Sequence, residues 1–303
     1  MATLGAVTFG SAVAGTSFPV VPGDPPAPPS ADPRSPRPDI VVLVLDDSPP
    51  LDGRLWKKLP NLQRLFIRQG LRFTDAHSEM PACTPGRASL LTGLSAHHHG
   101  AINTDATADF QPEATVATAL QGVGYHTVMV GKYMNLFDRL EDKTPPGWDE
   151  MHGFRGAYYD YDMWSNGEPR WHGKGKRHYS TDVIARIAKR ELDRAPKWQP
   201  LFMWLAPYAA HKPWTVAPRH RRSKRCNGID RWRPPGYMER DVRDKPNYVG
   251  ARRIVEPRGY DFSRVCRTML SVDEMVGDVA KKLQKQGRLA NTMFVLTSDN
   301  GMA

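Results

Sequence analysis

The sequence predicts an α/β fold, a mainly parallel sheet sandwiched by helices, on three observations. Residues 40–45, 125–130, 201–205 and 292–297 are short apolar runs rich in branched and aromatic side chains, as expected of central strands buried on both faces. Longer segments with helical spacing lie between them, chiefly 180–195 and 263–286. The runs lead into polar residues able to carry chemistry, and open α/β sheets hold their ligands at the carboxyl ends of strands.

The chain's 303 residues can bury a full core and could form one large or two modest domains. Hydrophobic content of 40% and charged content of 24% are ordinary for a soluble globular protein. The net charge of +10 favours acidic partners. The basic residues are spread out and no nucleic-acid-binding motif accompanies them, so no specific nucleic acid partner is expected. An anionic polymer such as a sulfated glycan fits the charge equally well. Of three cysteines, Cys226 and Cys266 could pair in an oxidising compartment, leaving Cys83 as the thiol with a task; the alternative is three free thiols.

Residues 2–20 are small and weakly apolar, too polar for a spanning helix, and no transmembrane segment is expected. Residues 21–38 are dense in proline, the composition of a solvated, extended linker. Residues 1–38 are therefore expected to hold the remnant of an export signal and a tether, which would make the protein secreted, periplasmic or attached to the cell surface. A simple disordered tail is the alternative. The folded domain is expected over 39–303.

The strand at 40–45 runs into Asp46 and Asp47. Adjacent carboxylates there are costly unless a cation compensates them, and hard oxygen ligands suit Ca²⁺ or Mg²⁺. Residues 60–70 read as a short helix with Leu62, Leu65 and Phe66 on one face and Gly70 at its end. Residues 71–74 are expected to form a strand leading to Cys83. Pro85, with its preset φ, suits the first turn of a helix there, and Arg87 beside that N-terminus makes an anion site. A cysteine so placed should have a lowered thiol pKa. His97, His98 and His99 cannot point the same way and read as a loop outside the catalytic set.

Residues 114–121 are helical in pattern, and the strand at 125–130 ends in Gly131 and Lys132. Residues 145–179 lack periodicity and read as loop and substrate rim. The 180–195 helix has Ser180 or Thr181 as its candidate cap. His211 stands just past the 201–205 strand, positioned to act as a general acid. Residues 216–260 carry most of the extra basic charge, as an exposed insertion or a docking surface for a polyanionic substrate. The 263–286 helix precedes the last strand, which ends in Ser298, Asp299, Asn300 and Gly301.

The run Cys83-Thr-Pro-Gly-Arg87, followed by Ala-Ser-Leu-Leu-Thr-Gly93, resembles the signature of the sulfatase family. The resemblance implies the alkaline-phosphatase-like α/β fold and conversion of Cys83 to formylglycine by a formylglycine-generating enzyme. The hydrated aldehyde would be the nucleophile. Gly86 departs from the usual Ser or Ala. Gly131-Lys132-Tyr133-Met134-Asn135 resembles the second family signature, in the form most like the glucosamine-6-sulfatase and extracellular endosulfatase branch. Met134 stands where many arylsulfatases have a histidine. His211-Lys-Pro-Trp214 matches the same branch. The resemblance further implies a calcium ion, with magnesium as the alternative, held by Asp46, Asp47, position 83, Asp299 and Asn300. Arg87 would hold the hydrated aldehyde, Lys132 a sulfate oxygen, and His211 would protonate the leaving oxygen.

Hydrolysis of a sulfate ester on a small molecule or glycan is thus the expected activity. A phosphonate or phosphate ester hydrolase and a non-catalytic anion- or glycan-binding protein are the alternatives. The resemblance covers nearly all of 39–303 and implies that this is the N-terminal catalytic domain of a longer protein, the family's smaller C-terminal domain being expected outside the sequence.

Overall fold

Among the described residues seven strands form one sheet in the order β5-β4-β3-β2-β6-β1-β7. They are β1 (Asp39–Leu45), β2 (His126–Lys132), β3 (Glu150–Phe154), β4 (Tyr161–Ser165), β5 (Glu168–His172), β6 (Leu201–Ala206) and β7 (Thr292–Ser298). The structure is a computed structural model and describes residues 37–234, 237–239, 241–245 and 256–302. The expectations for residues 1–36 and for parts of the basic 216–260 segment lie outside the described residues.

The pairings β3–β2, β2–β6, β6–β1 and β1–β7 are parallel, whereas β3–β4 and β4–β5 are antiparallel. The period-2 pattern of a strand sends alternate side chains to opposite faces. Val41, Leu43 and Leu45 of β1 enter one core cluster, shared with the helices Ser180–Arg194 and Phe262–Lys285; Val42 and Val44 enter a second cluster, with Ala88 and Leu91 of the Cys83–Thr92 helix. Helices thus cover both faces, and the mainly parallel α/β expectation agrees with the structure.

Several local expectations differ from it. Residues 71–74 form no strand: Leu71 and Phe73 are 81% and 77% exposed, so neither buries an apolar side chain against the sheet. The 60–70 segment is a single α-turn, Pro60–Leu62, continuing as a π-helix that stops at Arg68 before Gly70. Ala96–His99 is a helical turn, not a loop. The residue preceding the Ser180–Arg194 helix is Tyr179, with no side-chain cap, and Ser180 and Thr181 are buried inside the first turn.

The 145–179 stretch contains β3, β4 and β5, the antiparallel end of the sheet. These five-residue strands escape a periodicity search because β5 is mostly exposed and carries polar and proline residues. Among the described residues β7 is an edge strand and not a central one. The cysteine pairing left open by the sequence is settled: Cys226 and Cys266 form a disulfide, with Cα atoms 5.8 Å apart. The densest basic run also has an internal commitment, because Arg219 bonds Asp182 at 2.7 and 2.8 Å and Glu274 at 2.7 Å.

Candidate active site

The carboxyl ends of β1, β2, β6 and β7 bring the sequence-predicted residues to one place around the N-terminus of the Cys83 helix. Asp46 follows β1 and is fully buried; both its oxygens accept from Lys132 Nζ, at 2.9 and 2.8 Å. Lys132 is the last residue of β2 and is itself buried. Asp47 turns out of the strand with φ +47°, a left-handed conformation that Asp tolerates better than most residues. Its backbone N–H donates to Asp299 Oδ1, and its side-chain oxygens face Cys83, Asn300 and His211.

Arg87 is buried one turn into the helix. Its Nε and Nη2 reach Asp299 Oδ2 at 3.0 and 2.9 Å, Nη2 lies 3.4 Å from Asp46, and Nη1 donates to the carbonyl of Lys132 at 2.7 Å. The sequence expectation of an anion site around Arg87 needs correction. Its guanidinium is spent on two carboxylates and a carbonyl, and what faces Cys83 is predominantly acidic. Cys83 Sγ lies 3.7 Å from Asp47 Oδ1.

The expected fall in the thiol pKa is reversed for the same reason. Burial first, then Asp46, push the Cys83 thiol up to about 12, with Lys132 opposing. Burial opposes ionisation of Asp46 as well, but Lys132 and Arg87 more than offset it and hold that carboxyl well below its usual range. Asp299 is pushed up to about 7, chiefly by burial and with Asp46 adding to it against Arg87. Two carboxylates sharing one guanidinium cannot both ionise freely.

Oxygen and sulfur atoms of Asp46, Cys83 and Asp299 lie within 4.8 Å of one another, as do donor atoms of Asp47, Cys83 and His211. Asn300 Nδ2 donates to Asp47 at 2.8 Å, which leaves its Oδ1 buried without a hydrogen-bond partner. An orphaned amide oxygen beside three carboxylates is the donor set of a hard divalent cation, so the residues present fit the implied calcium or magnesium. His211 Nε2 lies 3.3 Å from Asp47 Oδ2, and its Nδ1 donates to the Lys212 carbonyl.

Sequence reasoning overlooked two residues. The Tyr208 ring stacks on His211, with centroids 4.5 Å apart, and lies 5.6 Å from Lys132 Nζ. Ser78 Oγ donates to the Asp299 carbonyl at 3.0 Å. Tyr208 could have been noticed as the aromatic three residues before His211 at a strand end; an isolated serine carries no such signal. Among the three histidines, His99 is buried and bonds Ser89 Oγ at 3.0 Å, a packing role between two helices.

Gly86 has a steric reason. A Cβ there would stand 2.1 Å from the backbone carbonyl oxygen of Asp299. The Gly86→Ala variant is expected to lose about 1–3 kcal/mol of stability by overpacking and to weaken any divalent-cation binding as Asp299 is displaced. Denaturant unfolding and calcium calorimetry check this, and a variant equal to wild type in both would overturn it.

Parallel strands with metal-fitting carboxylates at their carboxyl ends, between two helical layers, define the alkaline-phosphatase-like α/β class. Within it, this chain belongs to the sulfatase family: the model described as Sulfatase matches residues 38–303. The chain is 28% identical to human N-acetylglucosamine-6-sulfatase over 289 residues, covering 88% of this chain and 51% of that protein. It is 31% identical over 289 residues to the Drosophila melanogaster extracellular sulfatase SULF-1 homolog, covering 88% of this chain and 25% of that protein. A protein solved in complex with its substrate D-glucosamine-2-N,6-O-disulfate superposes with a TM-score of 0.60 at 25% identity, over 87% of this chain and 65% of the other. The chain spans about half the length of the human relative or less of the fly one.

Proposed function

We propose that the protein of which this chain is part hydrolyses sulfate esters on a sulfated sugar, using a formylglycine made from Cys83 and a calcium ion held by Asp46, Asp47, Asp299 and Asn300. The observation that carries the reading is the convergence of Cys83, Arg87, Lys132, His211 and these four residues from five separated segments on one buried cluster. With only the protein's own charges around it, a thiol pushed up to about 12 stays protonated at neutral pH, so unmodified Cys83 is a poor nucleophile.

The cation would supply Lewis acidity toward a sulfate oxygen and toward the hydrated aldehyde of position 83. Arg87 holds Asp46 and Asp299 in place and favours their charged forms, against burial. Lys132, now paired with Asp46, would turn to a sulfate oxygen once that carboxylate has another positive partner. His211 Nε2 stands at the rim of the cluster, where it would pass a proton to the departing sugar oxygen. The disulfide supports an oxidising compartment and hence export. Among the described residues no helix is long and apolar enough to cross a membrane.

The test is co-expression with a formylglycine-generating enzyme, followed by peptide mass spectrometry across Cys83 and assays on glucosamine 6-sulfate and an aryl phosphodiester. The expected result is aldehyde in place of thiol and sulfate release that chelation and Cys83→Ala both abolish. An unmodified thiol overturns the reading, and so does a clear preference for the phosphodiester.

A further inference from the structure

A basic cavity lies away from this cluster. A cavity of about 510 Å³ opens between the β4–β5 hairpin and the Ser180–Arg194 helix. Arg170, Arg177, Arg186 and Arg190 line it together with His172 and His178, and no carboxylate does. Ser165, Val183 and Ile187 complete the wall.

The guanidinium groups are partly positioned in advance. Arg186 Nη2 donates to the Arg177 carbonyl at 2.7 Å, and Arg190 Nε is tied to Glu191 at 2.6 Å. Arg177 Nε donates to His178 Nε2 at 3.2 Å. Among the described residues, no carboxylate pairs with Arg170, Arg177 or Arg186, although other exposed arginines, Arg155, Arg219 and Arg243, pair with acids. The local field also shows in His172, which is pushed down to about 4 by burial first and then by His178, Arg170 and Arg186. The three guanidinium groups without a carboxylate partner repel one another around one cavity and destabilise the fold unless an anion neutralises them. Planar guanidinium forks match sulfate oxygens in bidentate geometry.

We infer that this cavity binds a sulfate group of a sulfated oligosaccharide, at a point of the polymer separate from the ester held at the Cys83 cluster. The occupant's identity rests on the reading given under Proposed function; the cavity and its charge do not. β4 stands four strand spacings from β1, which leads into Asp46, and two from β2, which ends in Lys132, roughly 20 and 10 Å across the sheet, so a single sulfate group cannot fill both places. A sulfated chain can, and the second contact raises its effective affinity without any new contact at the reacting ester.

The test is fluorescence anisotropy of a labelled heparin-derived oligosaccharide, with hydrolysis of a small aryl sulfate measured in parallel. Arg170→Ser combined with Arg186→Ser should weaken oligosaccharide binding at least about tenfold and leave aryl sulfate turnover unchanged, since neither residue touches the Cys83 cluster. Should the double variant fold poorly, Arg170→Glu alone, at an exposed position, should weaken binding and Arg170→Lys should keep most of it. Unchanged affinity in these variants overturns the inference. Equal binding of the desulfated oligosaccharide overturns it too, as does equal competition by a DNA oligonucleotide of matched charge. Binding is read without turnover. An inactive protein whose oligosaccharide binding still depends on Arg170 and Arg186 would count against the proposed function and for the cavity.

Discussion

Replacing Arg87 with methionine should lower the stability of the metal-free protein by about 3–5 kcal/mol, the usual consequence of removing one partner from a buried ion pair. Arg87 is 1% exposed and serves three acceptors. Of these Asp46 keeps Lys132, at 2.8 and 2.9 Å, but Asp299 loses both its guanidinium contacts and the Lys132 carbonyl loses its donor. The loss has a pH signature. Asp299 already sits at about 7, pushed up by burial, and Arg87 is the largest influence holding it down. An acid whose folded pKa is raised penalises the folded state above its unfolded pKa, and the penalty grows until the folded pKa is passed. In wild type this growth ends near pH 7; in Arg87→Met it continues to higher pH. The destabilisation should therefore be larger at about pH 8.5 than at about pH 6. Urea unfolding in chelator at both values measures it, and a variant matching wild type at both would remove Arg87 from its central electrostatic role.

That same residue shows where sequence reasoning stops. Buried apolar runs placed Asp46, Asp47, Lys132, His211, Asp299 and Asn300 at or just past the carboxyl ends of strands, but it was the resemblance to the sulfatase signatures that marked them as functional. The partners of Arg87 were not legible. A helix N-terminus with an arginine looks like an anion site until the fold brings Asp46 and Asp299 against the guanidinium from more than forty residues upstream and two hundred downstream. The Cys83 thiol follows it: its direction depends on those distant carboxylates and on burial, not on its neighbours in the chain. The antiparallel hairpin was missed for a different reason. An exposed edge strand has only one neighbour and little apolar content, so β5 leaves no strong period in the sequence. The cavity beside it was equally hidden, since Arg170, Arg177, Arg186 and Arg190 look like ordinary solvated charges until the hairpin folds over the helix.

The disulfide carries the other large effect. Cys226 and Cys266 are both buried and join the irregular basic segment to the long Phe262–Lys285 helix across a separation of 40 residues. A cross-link closing a loop of that length restricts the unfolded chain by an amount between that of short and long loops, about 4 kcal/mol in the chain-entropy account. Native contacts would survive its loss: Ser263 Oγ donates to the Cys226 carbonyl at 3.0 Å, Arg267 bonds Asn227 at 3.0 Å, and Trp232 pairs with Tyr260. Cys226→Ala with Cys266→Ala should therefore keep the native fold and lower its stability by roughly 3–4 kcal/mol. Reductant should take the wild-type protein down by a similar amount and leave the double variant unmoved. Cys83 does not confuse the comparison, because a buried thiol held protonated exchanges slowly with disulfides. If the double variant is within about 1 kcal/mol of wild type, the cross-link acts on a segment already held by its contacts, and the entropic account fails here. If reductant still destabilises the double variant, the sensitivity lies at Cys83, and the view of that thiol as inert before modification must be given up.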